Sequence, residues 1–172
     1  METEIVTGTK ALRDADAVVL PGVGGFRNAA ARIPRDEVRD LALGGKTIVG
    51  ICLGMQLFLD SSEEGPGKGL GLFPGKVRRL PDSVKVPQMG WNTLRVKRRT
   101  DLTDGVPDGS WVYYVHSYYP DTSGDWVQAT CDYGTEFPSL LGRRNIIGTQ
   151  FHPEKSGSAG AKILRNIIRM AS

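Results

Sequence analysis

Residues Thr47 to Asp60 read TIVGICLGMQLFLD, and the reading of this stretch organises the rest of the chain. Ile48-Val49-Gly50-Ile51 is a short apolar run of the kind that forms a strand buried on both faces of a parallel sheet. Met55, Phe58 and Leu59 recur at i, i+3 and i+4, which predicts one apolar face of a helix. Between the two stands Gly50-Ile51-Cys52-Leu53-Gly54, a cysteine flanked by glycines where a strand must turn sharply into a helix. That is the layout of a nucleophile elbow, G-x-S-x-G, with sulfur in place of oxygen. Glycines suit such a turn because its backbone is strained and neighbouring backbone passes close to it. A thiol at a helix N-terminus faces unpaired N–H groups and the positive end of the dipole, so the thiolate is expected to be favoured. The Leu53 N–H is expected to point where an oxyanion would form. The competing reading of Cys52 is a buried structural cysteine. The two glycines and the strand-to-helix switch favour the nucleophile.

With 172 residues the chain is expected to be a single domain, 1–172, large enough for a proper core. The net charge is +3, and the basic residues gather at Lys76-Val77-Arg78-Arg79, at Arg95 to Arg99 and at Arg143-Arg144. No aromatic interleaving or nucleic-acid motif accompanies them, so solvated faces or an acidic partner surface are expected, and no nucleic acid. The two cysteines form no CxxC and no disulfide framework. Cys131 lies on the apolar side of the alternation in Val127 to Tyr133 and reads as core. No apolar run reaches membrane-spanning length and the N-terminus shows no signal-peptide core, so the expected setting is a reducing cytoplasm, with no membrane partner.

In chain order, Glu4-Ile5-Val6-Thr7 reads as a possible short strand and Ala15 to Leu20 as a better one. The latter closes into Pro21-Gly22-Val23-Gly24-Gly25-Phe26. A strand ending in a glycine-rich turn before a helix is a typical site edge in an open α/β sheet, so Val23 and Gly24 are candidates for a second oxyanion donor; an ordinary turn is the alternative. The helix from Asn28 to Leu43 is interrupted by Pro34 and stopped by Gly44-Gly45. Glu63 to Gly75 holds five glycines without a phosphate-binding pattern and reads as a surface loop. Lys85 to Thr93 reads as irregular, Trp111 to Tyr119 and Asn145 to Phe151 as strands. A last helix, about Ala159 to Met170, is expected to bury Ile163, Leu164, Ile167 and Ile168. Apolar strands interleaved with helices early and meandering strands in the middle predict an α/β fold: an open, mostly parallel sheet flanked by helices, with a small antiparallel excursion.

A thiolate nucleophile needs a base held in one tautomer by a third group. The chain has two histidines, His116 and His152. Pro153 biases His152 toward an extended conformation, so His152 and Glu154 project to the same side and Glu154 can accept from one ring nitrogen. His116 has no acid nearer than Asp121 and reads as a satisfied structural histidine. Zinc held by Cys52, His116 and His152 is the competing reading, but no pair has metal-ligand spacing, and no metal or cofactor is expected.

GICLGMQ together with QFHPE at Gln150 to Glu154 resembles the class I (triad) glutamine amidotransferases. PGVG at Pro21 to Gly24, PQMGWN at Pro87 to Asn92, YVHSY at Tyr114 to Tyr118 and FHPEKSG at Phe151 to Gly157 narrow the resemblance to the glutaminase subunits of imidazole glycerol phosphate synthase, of histidine biosynthesis. The resemblance implies a flavodoxin-like sheet, Cys52 as nucleophile, His152 as acid/base and Glu154 as its orienter. It implies backbone oxyanion donors at Val23 and Leu53. Glutamine would be held by Gly24, Gln56, Glu64 and the Ser117-Tyr118 backbone. Ammonia would pass to a cyclase subunit, a (β/α)8 barrel, with Trp91 and Lys155 at that interface. For Trp91 the alternative is a core aromatic, for Lys155 a solvated charge, and for Glu64 a solvated loop acid.

Members of this family start with a strand, a glycine-containing loop and a helix ahead of the segment matching Glu4–Thr7. The chain is therefore expected to be N-terminally truncated by roughly 30 residues, through a misassigned start or a real loss. Two other functions compete: a catalytically silent binding partner of the synthase, and a redox-sensing cysteine protein. Intact Cys52, His152 and Glu154 weigh against the first, and Gln56 with the FHPE turn against the second.

Overall fold

The structure is a computed structural model and describes residues 3–6, 9–22 and 24–171. Helix α1 (Thr9–Asp14) leads into strand β1 (Ala17–Leu20), and helices α2 (Phe26–Arg32) and α3 (Arg35–Leu43) follow. Pro34 divides those two helices, and Gly45, at φ +98°, ends the second. Strand β2 (Thr47–Ile51) then enters a single helical turn, α4 (Leu53–Gln56). Strands β3 (Ser61–Ser62), β4 (Lys76–Arg79), β5 (Gln88–Val96), β6 (Ser110–His116), β7 (Tyr118–Asp121), β8 (Val127–Asp132), β9 (Glu136–Arg143) and β10 (Ile146–Thr149) make up the middle of the chain. A 3-10 turn, Pro153–Lys155, precedes the closing helix α5 (Gly157–Ala171).

Seven strands form one sheet in the order β1-β2-β10-β9-β8-β5-β6, and β3-β4-β7 form a second, smaller one. β2 lies parallel between β1 and β10, whereas β10, β9, β8, β5 and β6 pair antiparallel along the row. The α/β architecture is as expected, but the sheet is mixed rather than mostly parallel: among the described residues only the β1-β2 and β2-β10 pairings are parallel, and the antiparallel part is four strands joined edge to edge with them. Side chains on β2 and β10 alternate between two cores. Ile48 and Ile146 join Val18, Phe26, Met55 and Phe58 on one face, while Val49 and Ile147 join Leu94, Tyr114, Phe137 and Ile163 on the other. An apolar run without polar alternation is therefore what β2 requires.

Several local expectations are corrected. Glu4, Ile5 and Val6 form no strand, Ile5 is 97% exposed, and Thr7 lies outside the described residues. Among the described residues β1 pairs with β2 alone. The helix after the elbow lasts one turn, because the carbonyls beyond it are used elsewhere: Leu57, Phe58 and Leu59 accept from Leu70, Leu72, Phe73 and Gly71. The same bonds draw the glycine-rich segment inward, so Leu70, Leu72 and Phe73 are buried and only part of 63–75 is a surface loop. Lys85 to Thr93 is not irregular: from Gln88 onward it is β5, held to β6 over seven residue pairs from Gln88↔His116 to Leu94↔Ser110. On α5, Ile168 is exposed, and Asn166 is buried instead, its amide donating to the Leu102 and Asp104 carbonyls.

Candidate active site

The elbow is where three strands end together. Gly50 lies opposite Leu20 of β1 and Gly148 of β10, and Ile51 opposite Thr149, so Cys52 emerges beside Gln150, with His152 two residues further along. The Cys52 N–H donates to the Thr149 carbonyl at 2.6 Å. Its backbone takes φ 53°, ψ −106°, a conformation that costs a residue with a Cβ about 1–3 kcal/mol. Glycine is required around it. A Cβ on Gly50 would meet the Gly54 backbone at 2.5 Å, one on Gly54 the Leu20 carbonyl oxygen at 2.0 Å, and one on Gly22 the Cys52 Cβ at 2.6 Å.

The thiol is buried. It donates to the Val115 carbonyl (3.8 Å) and receives the Gln150 side-chain amide (3.5 Å). Burial pushes it up to about 11, opposed by hydrogen bonds from the Leu53 backbone N–H and from Gln150, with the Glu154 charge adding a smaller rise. This corrects the expectation of a favoured thiolate: desolvation outweighs the helix terminus, whose single turn offers little dipole. The Leu53 N–H lies against the sulfur.

His152 follows β10 and is held from three sides. Its N–H donates to the Tyr113 carbonyl (2.9 Å), its carbonyl accepts from the Ser156 hydroxyl (2.6 Å), and Nδ1 stands 2.8 Å from Glu154 Oε1. Ser156 Oγ also accepts from the Tyr113 N–H, so a single buried hydroxyl ties the His152–Glu154 turn to β6. Gly160 must be glycine there, since a Cβ would come within 2.0 Å of the Pro153 carbonyl oxygen. Among the described residues, Cys52 Sγ makes no hydrogen bond to His152.

His116 lies in the core. Its Nδ1–H donates to the Tyr118 carbonyl (2.8 Å), its Nε2 stands 3.0 Å from the Gln88 amide, and burial pushes it down to about 4. Cys131 is a core thiol, pushed up by burial. Among the described residues no group of three His, Cys, Asp or Glu side chains is placed to hold a metal ion.

The other expected residues divide. Val23 lies outside the described residues, and Gly24 is an exposed glycine at φ +97°. Glu64 is exposed and caps α2, accepting from the Phe26 N–H at 2.7 Å, with its Oε1 against Gly25. Both N–H groups of Gln56 are taken, by the Tyr118 carbonyl (2.7 Å) and by Gln150 Oε1 (3.0 Å). The Ser117 carbonyl accepts from the Leu80 N–H. Trp91 is 53% exposed, which removes the core reading, and meets Tyr113 edge-on at 6.0 Å; Lys155 Nζ stands over the Tyr113 ring at 5.9 Å. Met89 and Trp111 are exposed on the same face of β5 and β6. Gln150, Ser156 and the Val115 carbonyl were not anticipated from the sequence.

The class this architecture defines is confirmed by comparison. The family model "Glutamine amidotransferase class-I" matches residues 2–171, and the chain belongs to that family. A solved structure described as a glutamine amidotransferase superposes with a TM-score of 0.74 at 20% identity, covering 99% of this chain and 87% of its own. PurLQS from Thermotoga maritima gives 0.65 at 21% identity, covering 90% and 80%. Within the family the similarity is sharper. The chain is 50% identical over 162 residues to the imidazole glycerol phosphate synthase subunit HisH of Methanosarcina mazei, covering 91% of this chain and 80% of that protein. It is 46% identical over 173 residues to HisH of Archaeoglobus fulgidus, covering 98% and 86%. The protein is thus an enzyme of the glutamine amidotransferase class. Among the described residues no helix is long and apolar enough to cross a membrane.

Proposed function

We propose that this chain is the glutaminase subunit of an imidazole glycerol phosphate synthase, a cytoplasmic enzyme of histidine biosynthesis. The observation that carries the reading is the strained Cys52 at the end of β2, with the Leu53 N–H at its sulfur, beside a β10 that runs on into the His152–Glu154 pair. Because the resting thiol is protonated, His152 takes its proton as sulfur attacks the side-chain amide carbon of glutamine, while Glu154 holds Nδ1. The oxyanion forms against the Leu53 N–H, with the Val23 N–H as second donor. Collapse breaks the C–N bond, and ammonia leaves with the proton from His152. Water, deprotonated by His152, then attacks the γ-glutamyl thioester, and the thiol is restored as glutamate departs. Gly24, Glu64, the Ser117-Tyr118 backbone and Gln56 hold the substrate, Gln56 through its Oε1, since its N–H groups are occupied.

Ammonia passes to a cyclase subunit, a (β/α)8 barrel. The aromatic face of Trp91, Trp111 and Tyr113 beside Lys155 is the surface it meets, exposed apolar area next to the catalytic turn being a typical interface core. The test is Cys52→Ala in the complex. Glutamine-driven turnover should vanish while turnover on added ammonium persists; retained glutamine hydrolysis ends the reading. Adding the cyclase partner with its ligand to the wild-type chain should raise hydrolysis, and equal rates with and without it would remove the partner from the proposal.

A further inference from the structure

A primary amide beside a thiol can present either its N–H group or its carbonyl, with opposite effects on the thiolate. At Cys52 the choice is settled by a chain of hydrogen bonds that begins in the core. The Tyr118 carbonyl can only accept, and it receives both the His116 Nδ1–H (2.8 Å) and the Gln56 Nε2 group (2.7 Å). This fixes which end of Gln56 faces β7. The second N–H of the same nitrogen then donates to Gln150 Oε1 (3.0 Å), which fixes Gln150 in turn. Its Nε2 is left on Cys52 Sγ at 3.5 Å. Gln150 is fully buried and Gln56 nearly so, which leaves no water to scramble the order.

We infer that Gln150 is a thiolate-stabilising catalytic residue, and that Gln56, anchored on the Tyr118 carbonyl, is the positioning residue that keeps the N–H end of Gln150 on the sulfur. The inference rests on Cys52 being the nucleophile, and it gives Gln56 a task that precedes substrate binding. As sulfur loses its proton to the base, the Gln150 N–H becomes a charge-assisted donor in a site where burial opposes the charge. Without Gln56, the Gln150 amide is free to turn its oxygen toward sulfur, which repels the thiolate.

The test measures alkylation of Cys52 by iodoacetamide in the 172-residue chain without glutamine, with mass spectrometry separating Cys52 from Cys131. Below the thiol midpoint this rate follows the thiolate fraction. Gln150→Met should slow it about tenfold at fixed pH, one pH unit in the midpoint. Gln56→Met should slow it in the same direction by a smaller factor and, unlike Gln150→Met, should also raise KM for glutamine. A variant that loosens or fails to fold exposes the thiol and speeds alkylation, the opposite sign. In a Gln150→Met protein whose circular dichroism and thermal melt match the wild type, unchanged or faster alkylation overturns the inference; if that variant does not fold, Gln150→Glu, which keeps the shape and loses the N–H donor, is read in its place by the same criterion. A drop there with none in Gln56→Met overturns the assignment of Gln56. The nucleophile reading falls separately, by glutamine hydrolysis surviving Cys52→Ala.

Discussion

The molecule holds two regions built from the same reactive residue types. At the strand ends, Cys52 stands beside the His152 turn; in the core, Cys131 and His116 share Gln88 and Tyr114 as neighbours. Both thiols are buried and both are pushed up by it, so burial does not distinguish them. What differs is the backbone. Cys131 sits in mid-strand on β8, paired with Phe137, whereas Cys52 is thrown into a positive-φ turn that sets its sulfur against the Leu53 N–H. The histidines differ in the same way. His116 has a partner at each ring nitrogen, one of them a carbonyl, while His152 spends Nδ1 on a carboxylate and, among the described residues, has no hydrogen bond at Nε2. The same residue types thus stand in two different settings, one at the strand ends and one inside the core.

The largest effect expected from breaking this contrast is at His152. His152→Ala should lower kcat for glutamine by about a thousandfold, and Glu154→Gln by a smaller factor, since it disturbs orientation rather than removing the base. Equal losses would mean that Glu154 does more than hold a tautomer.

His116 should show itself through stability and pH instead. Its folded value, about 4, lies below the ordinary value of about 6.5. Between these the unfolded chain binds a proton that the native chain refuses, so stability falls as pH drops through that window. Fully expressed, the loss is about 3 kcal/mol. Urea unfolding at pH 7 and at pH 4.5 should show it, and His116→Gln should flatten the slope. An unaltered slope would place the acid sensitivity elsewhere.

The smallest effect is at Cys131. Cys131→Ala should leave glutamine hydrolysis intact and cost about 1 kcal/mol through the small cavity it opens. A loss of activity without a loss of stability would erase the distinction between the two thiols.

The parts of the site that lie close in sequence were legible before folding. Gly50, Gly54 and the His152-Pro153-Glu154 run each state a local backbone requirement, and the structure meets them with contacts that admit no Cβ and with a 2.8 Å bond. What escaped the sequence is what pairing across strands creates. Gln150 reads as one polar residue before an apolar one, and only the β2–β10 register brings it to Cys52. Ser156 reads as loop until β6 passes above it. The segment from Lys85 looked irregular because Pro87, Gly90 and Asn92 interrupt its pattern, and its pairing with β6 prevailed over propensity. Thiol acidity escapes the sequence for a related reason, since desolvation depends on everything packed around the sulfur.

The positive φ at Cys52 bears on how this chain would drift if catalysis ceased to matter. Ordinarily alanine is the better residue than glycine, because glycine gives the unfolded chain more freedom to lose. At position 52 the order should invert. Cys52→Ala keeps a Cβ in a conformation that disfavours one, while Cys52→Gly releases it, so the glycine variant should be the more stable of the two by about 1 kcal/mol. Paired thermal melts of these inactive proteins would show it as a higher Tm for glycine, and the reverse order would mean that the turn holds no strain to release. With Cys52 in the role proposed for it, a higher Tm for glycine would mark position 52 as one where selection for turnover and selection for a durable fold pull in opposite directions. A lineage that lost the reaction would gain stability by substituting glycine there first.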